Sequence, residues 1–278
     1  MKKRLQNIFI VLFFLLGLSL VLYPSVSDYW NSFHQSKAIQ SYAENVVAMD
    51  DSEYEHILEE AKLYNERLAE SNQIWKLSPE QLADYNSQLN VAGNGLMSYI
   101  EIPKISCTLP IYHGTGDAVL QIAIGHIEGS SLPVGGESTH CVLSGHRGLP
   151  SAKLFSNLDQ MVEGDIFWIR TLNEIYTYEV DQIRIVLPNE LNDVRIEEGK
   201  DFCTLVTCTP YSINTHRLLV RGHRVENGVN SFDIRVVADA TQIDPVTVAP
   251  ALAIPMLLVL LICLLIRYRK EKRRIKIA

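Results

Sequence analysis

A cysteine, a histidine and an arginine stand at the ends of three apolar runs in this chain. Thr204-Leu205-Val206-Thr207-Cys208-Thr209-Pro210 alternates like a β-strand and reaches Cys208 just before a turn-forming proline. A cysteine inside a strand is usually a small packing group; one where a strand stops sits where rigid scaffolds carry reactive side chains. His146, 62 residues earlier, ends the run Val142-Leu143-Ser144-Gly145-His146-Arg147-Gly148, and Arg217 follows Cys208 by nine residues. A thiol, an imidazole and a guanidinium so placed compose a cysteine-nucleophile site. A free thiol has a pKa near ~8.5, so only a few per cent is thiolate at neutral pH and Cys208 needs a proton partner or positive surroundings. Arg217 supplies charge but no base, because guanidinium stays protonated. The proton shuttle is therefore a histidine or a carboxylate.

Eight histidines compete for that role. His34 and His56 lie in a helical region far from these runs, and His113 and His126 flank turns. Strand alternation puts His140 and His146 on one face, with only His146 in the turn at the strand end. His216, beside Arg217, remains a rival from periodicity alone. A zinc site of His140, His146 and Cys208 is disfavoured by the lack of a Cys-x-x-Cys pair, a helical His pair or a carboxylate partner. Of Arg217, Arg221 and Arg224 each reads by default as a surface arginine, and Arg147 as a structural contact. Cys107, Cys141 and Cys203 lie in apolar runs and read as packing groups; Cys263 falls in a terminal apolar run.

The ends of the chain point to a membrane. Ile8 to Leu22 is almost wholly apolar behind Lys2, Lys3 and Arg4, as in a signal peptide or short anchor, and Ser25-Val26-Ser27 resembles a cleavage site. Val246 to Ile266 is a second run of 21 uncharged residues ahead of a basic tail, long enough to span a bilayer. Basic outer flanks place both termini in the cytoplasm and the middle outside. Of 25 basic residues three lie in the N-terminal run and seven beyond Ile266, and of 32 acidic residues only Glu271 lies in those tails, so the middle carries 15 basic against 31 acidic groups. That balance excludes nucleic acid as a partner and leaves the basic tail to anionic lipid.

The middle must position the three reactive groups. Ser36 to Ser71, without Pro or Gly, has helical apolar spacing, and Ser78-Pro79-Glu80-Gln81 is a capping-box start for another helix ending near Gly93. From Tyr99 the period becomes two, predicting strands over Tyr99–Ile105, Leu109–Tyr112, Ile122–His126, Thr139–His146, Asp165–Arg170, Ile175–Leu187, Phe202–Cys208 and Arg217–His223. Helical turns are predicted over Asp117–Gln121 and Ser151–Leu158. Short strands with Gly and Pro punctuation predict a mainly β, closed or nearly closed barrel. The organisation is then a signal or anchor segment (1–24), a helical region (25–98), a catalytic barrel (99–225), a linker (226–245), a transmembrane helix (246–266) and a basic cytoplasmic tail (267–278).

TLVTC followed nine residues on by Arg, with an upstream Ser144-Gly145-His146, resembles the sortases, cysteine transpeptidases of Gram-positive cell surfaces. Gly129-Ser130-Ser131-Leu132-Pro133-Val134-Gly135-Gly136 and Leu143 to Pro150 resemble, more narrowly, the pilus-building class C enzymes. The likeness runs from about Tyr99 to Val225. It implies an eight-stranded sortase-type β-barrel with N-terminal helices, flanked here by two membrane segments. It also implies His146 rather than His216 as the catalytic histidine, and Arg217 as the group holding the substrate backbone or oxyanion. Cys208 would attack the Thr-Gly bond of an LPxTG-like sorting signal, and a lysine of another pilin would resolve the thioacyl enzyme. The expected partners are pilin subunits carrying sorting signals and membrane lipid, with no cofactor and no metal. Thr207, next to the nucleophile, is a candidate for substrate contact. Class C sortases also carry an Asp-Pro-aromatic lid over the cysteine; here Asp84 precedes Tyr85 without a proline, and Trp75 has neither Asp nor Pro before it. Trp75 is thus the lid candidate, expected chiefly to anchor its segment and leave Cys208 accessible. Attachment of proteins to the cell wall is the neighbouring alternative, and a membrane-tethered adhesin or receptor with an inert Cys208 the alternative of another class.

Overall fold

The computed structural model describes residues 2–71, 75–227, 253–257, 259 and 262. The chain divides into two compact units, residues 31–235 and residues 1–30 with 236–278.

Helix α1 (Lys2–Ala48) carries Pro24 in its interior. No further Pro or Gly occurs from Ser25 to Ala48, so nothing local stops the helix at the expected boundary after residue 24. Among the described residues it provides the one helix long and apolar enough to cross a membrane, with a mean hydropathy of 2.4 in its most apolar window. The expected second membrane segment, 246–266, falls largely outside the described residues; those described within it are helical. The described residues support the first of the two expected membrane segments and do not test the second.

In the 31–235 unit, α2 (Asp51–Glu70) starts on Asp50, whose carboxylate accepts the Ser52 and Glu53 N–H groups. Its buried stripe is Ala61, Tyr64, Asn65 and Leu68, the spacing of one helix face. The Asn65 amide pairs with both backbone groups of Leu132, donating to its oxygen at 3.1 Å and accepting from its nitrogen at 2.7 Å. Helix α3 (Pro79–Ser87) has the capping box expected of Ser78 and Gln81. Its buried Tyr85 hydroxyl accepts the Gly114 N–H and lies 3.0 Å from His126 Nδ1. From α1, the Tyr42 hydroxyl donates to Met97 O and accepts from Leu172 N, both at 2.8 Å. These buried polar groups fix the helices on the barrel, since each would be costly to leave unpaired.

The barrel strands are β1 (Leu96–Ile102), β2 (Cys107–His113), β3 (Ile124–His126), β4 (Thr139–Ser144), β5 (Ile166–Thr171), β6 (Glu174–Val186), β7 (Asp201–Thr209) and β8 (His216–Val225). They close in the order β1-β2-β3-β4-β7-β8-β6-β5, as the eight-stranded expectation required. β2–β3 and β4–β7 pair parallel and the others antiparallel. Inward residues such as Ile100, Ile111, Ile124, Leu143, Phe167, Leu205 and Val220 are fully buried, and alternation leaves their neighbours facing out. β1 ends earlier than predicted because Pro103 opens a 3-10 turn, Pro103–Ile105. Asp117–Leu120 is a short helix, α4, whereas the turn predicted over Ser151–Leu158 is a 3-10 turn only at Leu158–Gln160.

Candidate active site

Two neighbouring strands carry Cys208 and Arg217, and His146 stands two residues past the end of a third. β7 and β8 pair Cys208 directly with Arg217, so both side chains lie on the same face, about 5 Å apart at Cβ. β4 and β7 run parallel with a constant offset, from Thr139↔Asp201 to Ser144↔Val206. The ladder does not stop abruptly at Ser144: Gly145 N donates to Val206 O at 3.0 Å. Continuing the same offset brings Gly145 level with Thr207 and His146 level with Cys208. By that extension His146, just past β4, falls in line with the paired Cys208 and Arg217.

Gly145 is required by close packing. A Cβ there would meet Ile124 Cδ1 and Phe155 Cδ2, each at 2.6 Å. The His146 carbonyl accepts the Phe155 N–H at 3.1 Å, which pins the backbone under the imidazole. The His146 ring and the Cys208 thiol make no hydrogen bond among the described residues, and both residues are half-buried. Arg217 Nη1 donates to Asn214 O and His216 O, at 3.3 and 3.1 Å; its other guanidinium nitrogens make no hydrogen bond among the described residues. The neighbouring arginines are committed. Arg221 forms a fork on Asp181 at 3.0 and 2.9 Å, and Arg224 lies over the Tyr176 ring.

The rival groups are placed elsewhere. His140 is fully buried, with Nδ1 2.7 Å from Arg195 O and Nε2 2.7 Å from Thr204 Oγ1. A neutral ring satisfies both, donating at Nδ1 and accepting at Nε2, and burial pushes its pKa down to about 4. With both nitrogens taken, it is no metal ligand. His216 pairs across from Thr209, out of phase with Cys208, and its Nδ1 meets the Thr215 hydroxyl. Burial pushes the Cys107 thiol up to about 12 and the Cys203 thiol well above its usual value. Cys141 faces the interior opposite Cys203, only 2% exposed. Among the described cysteines, Cys208 alone lies in the row with a histidine and an arginine.

Thr207 is turned inward and is 1% exposed. Its hydroxyl donates to Gly145 O at 2.7 Å, so it ties β7 to the residue before His146 rather than facing the Cys208 side. Alternation carried that signal already, since Thr207 is out of phase with Cys208. Trp75 packs on an outward apolar strip of Val142, Val194, Val206 and Leu219, with Ile127 and Val186 around it. Val206 and Leu219 lie one side-chain step from Cys208 and Arg217. Trp75 also borders an open cavity with Ala69, Glu70, Ser138, Arg195, Ile196 and Glu198, whose lining includes none of Cys208, His146 and Arg217. Arg147, read from the sequence as a structural contact, meets Thr209, Asp159 and Tyr211, three residues that the sequence pattern does not single out.

A sortase-domain family model matches residues 100–225. Sortase C1 from Streptococcus agalactiae is 56% identical to the chain with a TM-score of 0.68, the match covering 69% of this chain and 100% of that one. The chain belongs to the sortase family. Sortase C of Streptococcus pneumoniae is 41% identical with a TM-score of 0.59, over 68% of this chain and 97% of that one. Sortase C of Clostridium perfringens, solved with a C-terminal cell wall sorting motif, is 40% identical with a TM-score of 0.61, over 69% and 99%. These structural neighbours are class C sortases, and the chain is a sortase cysteine transpeptidase.

Proposed function

We propose that this sortase joins pilin subunits through lysine isopeptide bonds, with Cys208 as nucleophile, His146 as proton shuttle and Arg217 as oxyanion or backbone donor. What supports the assignment is the pairing of Cys208 with Arg217, with the β4–β7 register, extended two residues past Ser144, bringing His146 alongside and with thiol and imidazole making no hydrogen bond among the described residues. His146 takes the Cys208 thiol proton as the sulfur attacks the threonine carbonyl of an LPxTG-like signal. A C–S bond forms as the Thr-Gly C–N bond breaks, and His146 protonates the departing glycine amine. His146 then takes a proton from an incoming lysine amine, the new C–N bond forms and the C–S bond breaks, returning the thiol. Arg217 suits the oxyanion because its planar fork keeps free donors after two carbonyls hold Nη1. Thr207 supports the row from within by holding Gly145.

The apolar strip of Val142, Val206 and Leu219 leads toward Cys208 and suits the apolar residues of a sorting signal; Trp75 rests on it as a partial cover. The pilin reading is supported by the class C neighbours, one reported in the context of pilin substrate specificity. With the apolar part of α1 as one span and 246–266 as the second, the catalytic unit would lie outside the cell and both termini in the cytoplasm, in contact with anionic lipid. The test is transamidation of an LPxTG-type peptide onto a lysine-bearing pilin, read by mass spectrometry. A Thr-Lys isopeptide cross-link supports the reading; acyl transfer only to cell-wall-type amines refutes the pilin part.

A further inference from the structure

The catalytic histidine and cysteine are also joined by a side-chain bridge one residue beyond each. Arg147 follows His146 and Thr209 follows Cys208, and Arg147 Nη1 donates to Thr209 Oγ1 at 3.4 Å. The same guanidinium gives Nη2 to the Asp159 carboxylate and lies 5.8 Å from the centre of the Tyr211 ring. The Arg147 side chain is 10% exposed against 45% for Asp159. This is a largely desolvated fork steadied by one wetter carboxylate, unlike an exposed ion pair of small worth. Tyr211 in turn lies against the turn after His146, since a Cβ on Gly148 would come within 2.9 Å of its ring.

The need for such a bridge follows from the ladder. Regular pairing on β4 stops at Ser144, so His146 stands beyond it. Gly145 N to Val206 O, Thr207 Oγ1 to Gly145 O and Phe155 N to His146 O hold the backbone before and at the histidine. Arg147 instead reaches past Cys208 to its C-terminal side, where the β7–β8 turn carries Ser212 and Asn214 at positive φ.

We propose that Arg147 is a positioning residue for transpeptidation, tying the turn after His146 to the end of β7 after Cys208 and so setting the imidazole–thiol spacing. The proposal rests on the assignment of Cys208 and His146 as the reacting pair. A lysine could answer Asp159, but its compact ammonium cannot also meet Thr209 and stay over the Tyr211 ring.

The test uses the full chain with Arg147→Gln, Arg147→Lys, Thr209→Val and the Arg147→Gln/Thr209→Val double variant. It measures kcat and KM for a sorting peptide and the pH dependence of Cys208 alkylation by iodoacetamide. A misplacement of about 1 Å can cost about 100-fold, so Arg147→Gln should lose about 10- to 100-fold in kcat with KM within about threefold. Arg147→Lys should stay near the Gln variant. Thr209→Val should lose less, and the double variant should be no worse than Arg147→Gln, because the two residues act as one unit. The alkylation midpoint should shift in Arg147→Gln, which a purely structural role would not cause. A folded Arg147→Gln enzyme with wild-type kcat, a Lys variant at the wild-type rate, or an unmoved midpoint overturns the proposal. If Arg147→Gln does not fold, an unchanged kcat and midpoint in Thr209→Val overturns it. Acyl transfer by a Cys208→Ala variant would instead overturn the underlying assignment, a separate result.

Discussion

Acidification should weaken this fold through His140. Its ring is fully buried, donating to Arg195 O and accepting from Thr204, and burial pushes its pKa down to about 4 from the usual 6.5. Above about pH 6.5 the ring is neutral in folded and unfolded chains and adds no pH dependence. Between about 6.5 and 4 the unfolded chain binds a proton that the folded chain refuses, so stability falls by up to ~1.4 kcal/mol per pH unit. Below about pH 4 the loss is complete, at roughly 3 kcal/mol. Chemical denaturation from pH 7.5 to 4.5 measures it, comparing the wild type with His140→Gln, which keeps a donor and an acceptor but does not titrate. The variant should cost about 1–2 kcal/mol at pH 7.5 from imperfect hydrogen bonds, and that gap should close or reverse toward pH 4.5. His113, whose pKa is also lowered by burial, titrates in both proteins and cancels in the difference. Parallel stability curves for the two proteins would refute the reasoning.

Thr207→Val removes the hydroxyl that caps Gly145 O, leaving a buried carbonyl short of a partner; it should cost about 1–3 kcal/mol in denaturation and lower kcat more than it raises KM. Trp75→Ala uncovers the strip without uncovering Cys208 itself, so KM for sorting peptide should fall while iodoacetamide labelling of Cys208 changes little. The same variant should lose about 1–2 kcal/mol of stability, below the ~3–5 of a fully buried tryptophan; strongly accelerated labelling would show that Trp75 shields the thiol directly. His146→Ala should lower kcat about 10²–10⁴-fold and Arg217→Ala about 10²–10³-fold, with circular dichroism unchanged. An active His146→Ala enzyme beside an inactive His216→Ala enzyme would move the proton shuttle to His216.

The strands were legible because inward and outward residues alternate without interruption where it matters: Cys141 and Leu143, Cys203 and Leu205, Leu218 and Val220 all face in. The α3 start was legible because a capping box is a local device that Ser78 and Gln81 satisfy by themselves. The barrel order was not, because parallel pairing of β4 with β7 joins strands separated by more than fifty residues of intervening chain, and no local pattern encodes that offset. The offset is nevertheless what brings His146 level with Cys208. Thr207 was misread toward substrate by its nearness in sequence to Cys208, although its phase in the strand pointed inward. Trp75 and Arg147 escaped periodicity altogether, since both stand in irregular segments where reach across the fold, not spacing, decides the contact.

The most direct test of the account is to trap the acyl enzyme. The full chain is mixed with an LPxTG-type peptide, quenched in acid and analysed by intact mass and peptide mapping. The account predicts an adduct equal to the peptide up to its threonine, carried as a hydroxylamine-labile thioester on Cys208, and absent from Cys208→Ala. A thioester mapped to Cys107, Cys141 or Cys203, or acyl transfer surviving in Cys208→Ala, would contradict it.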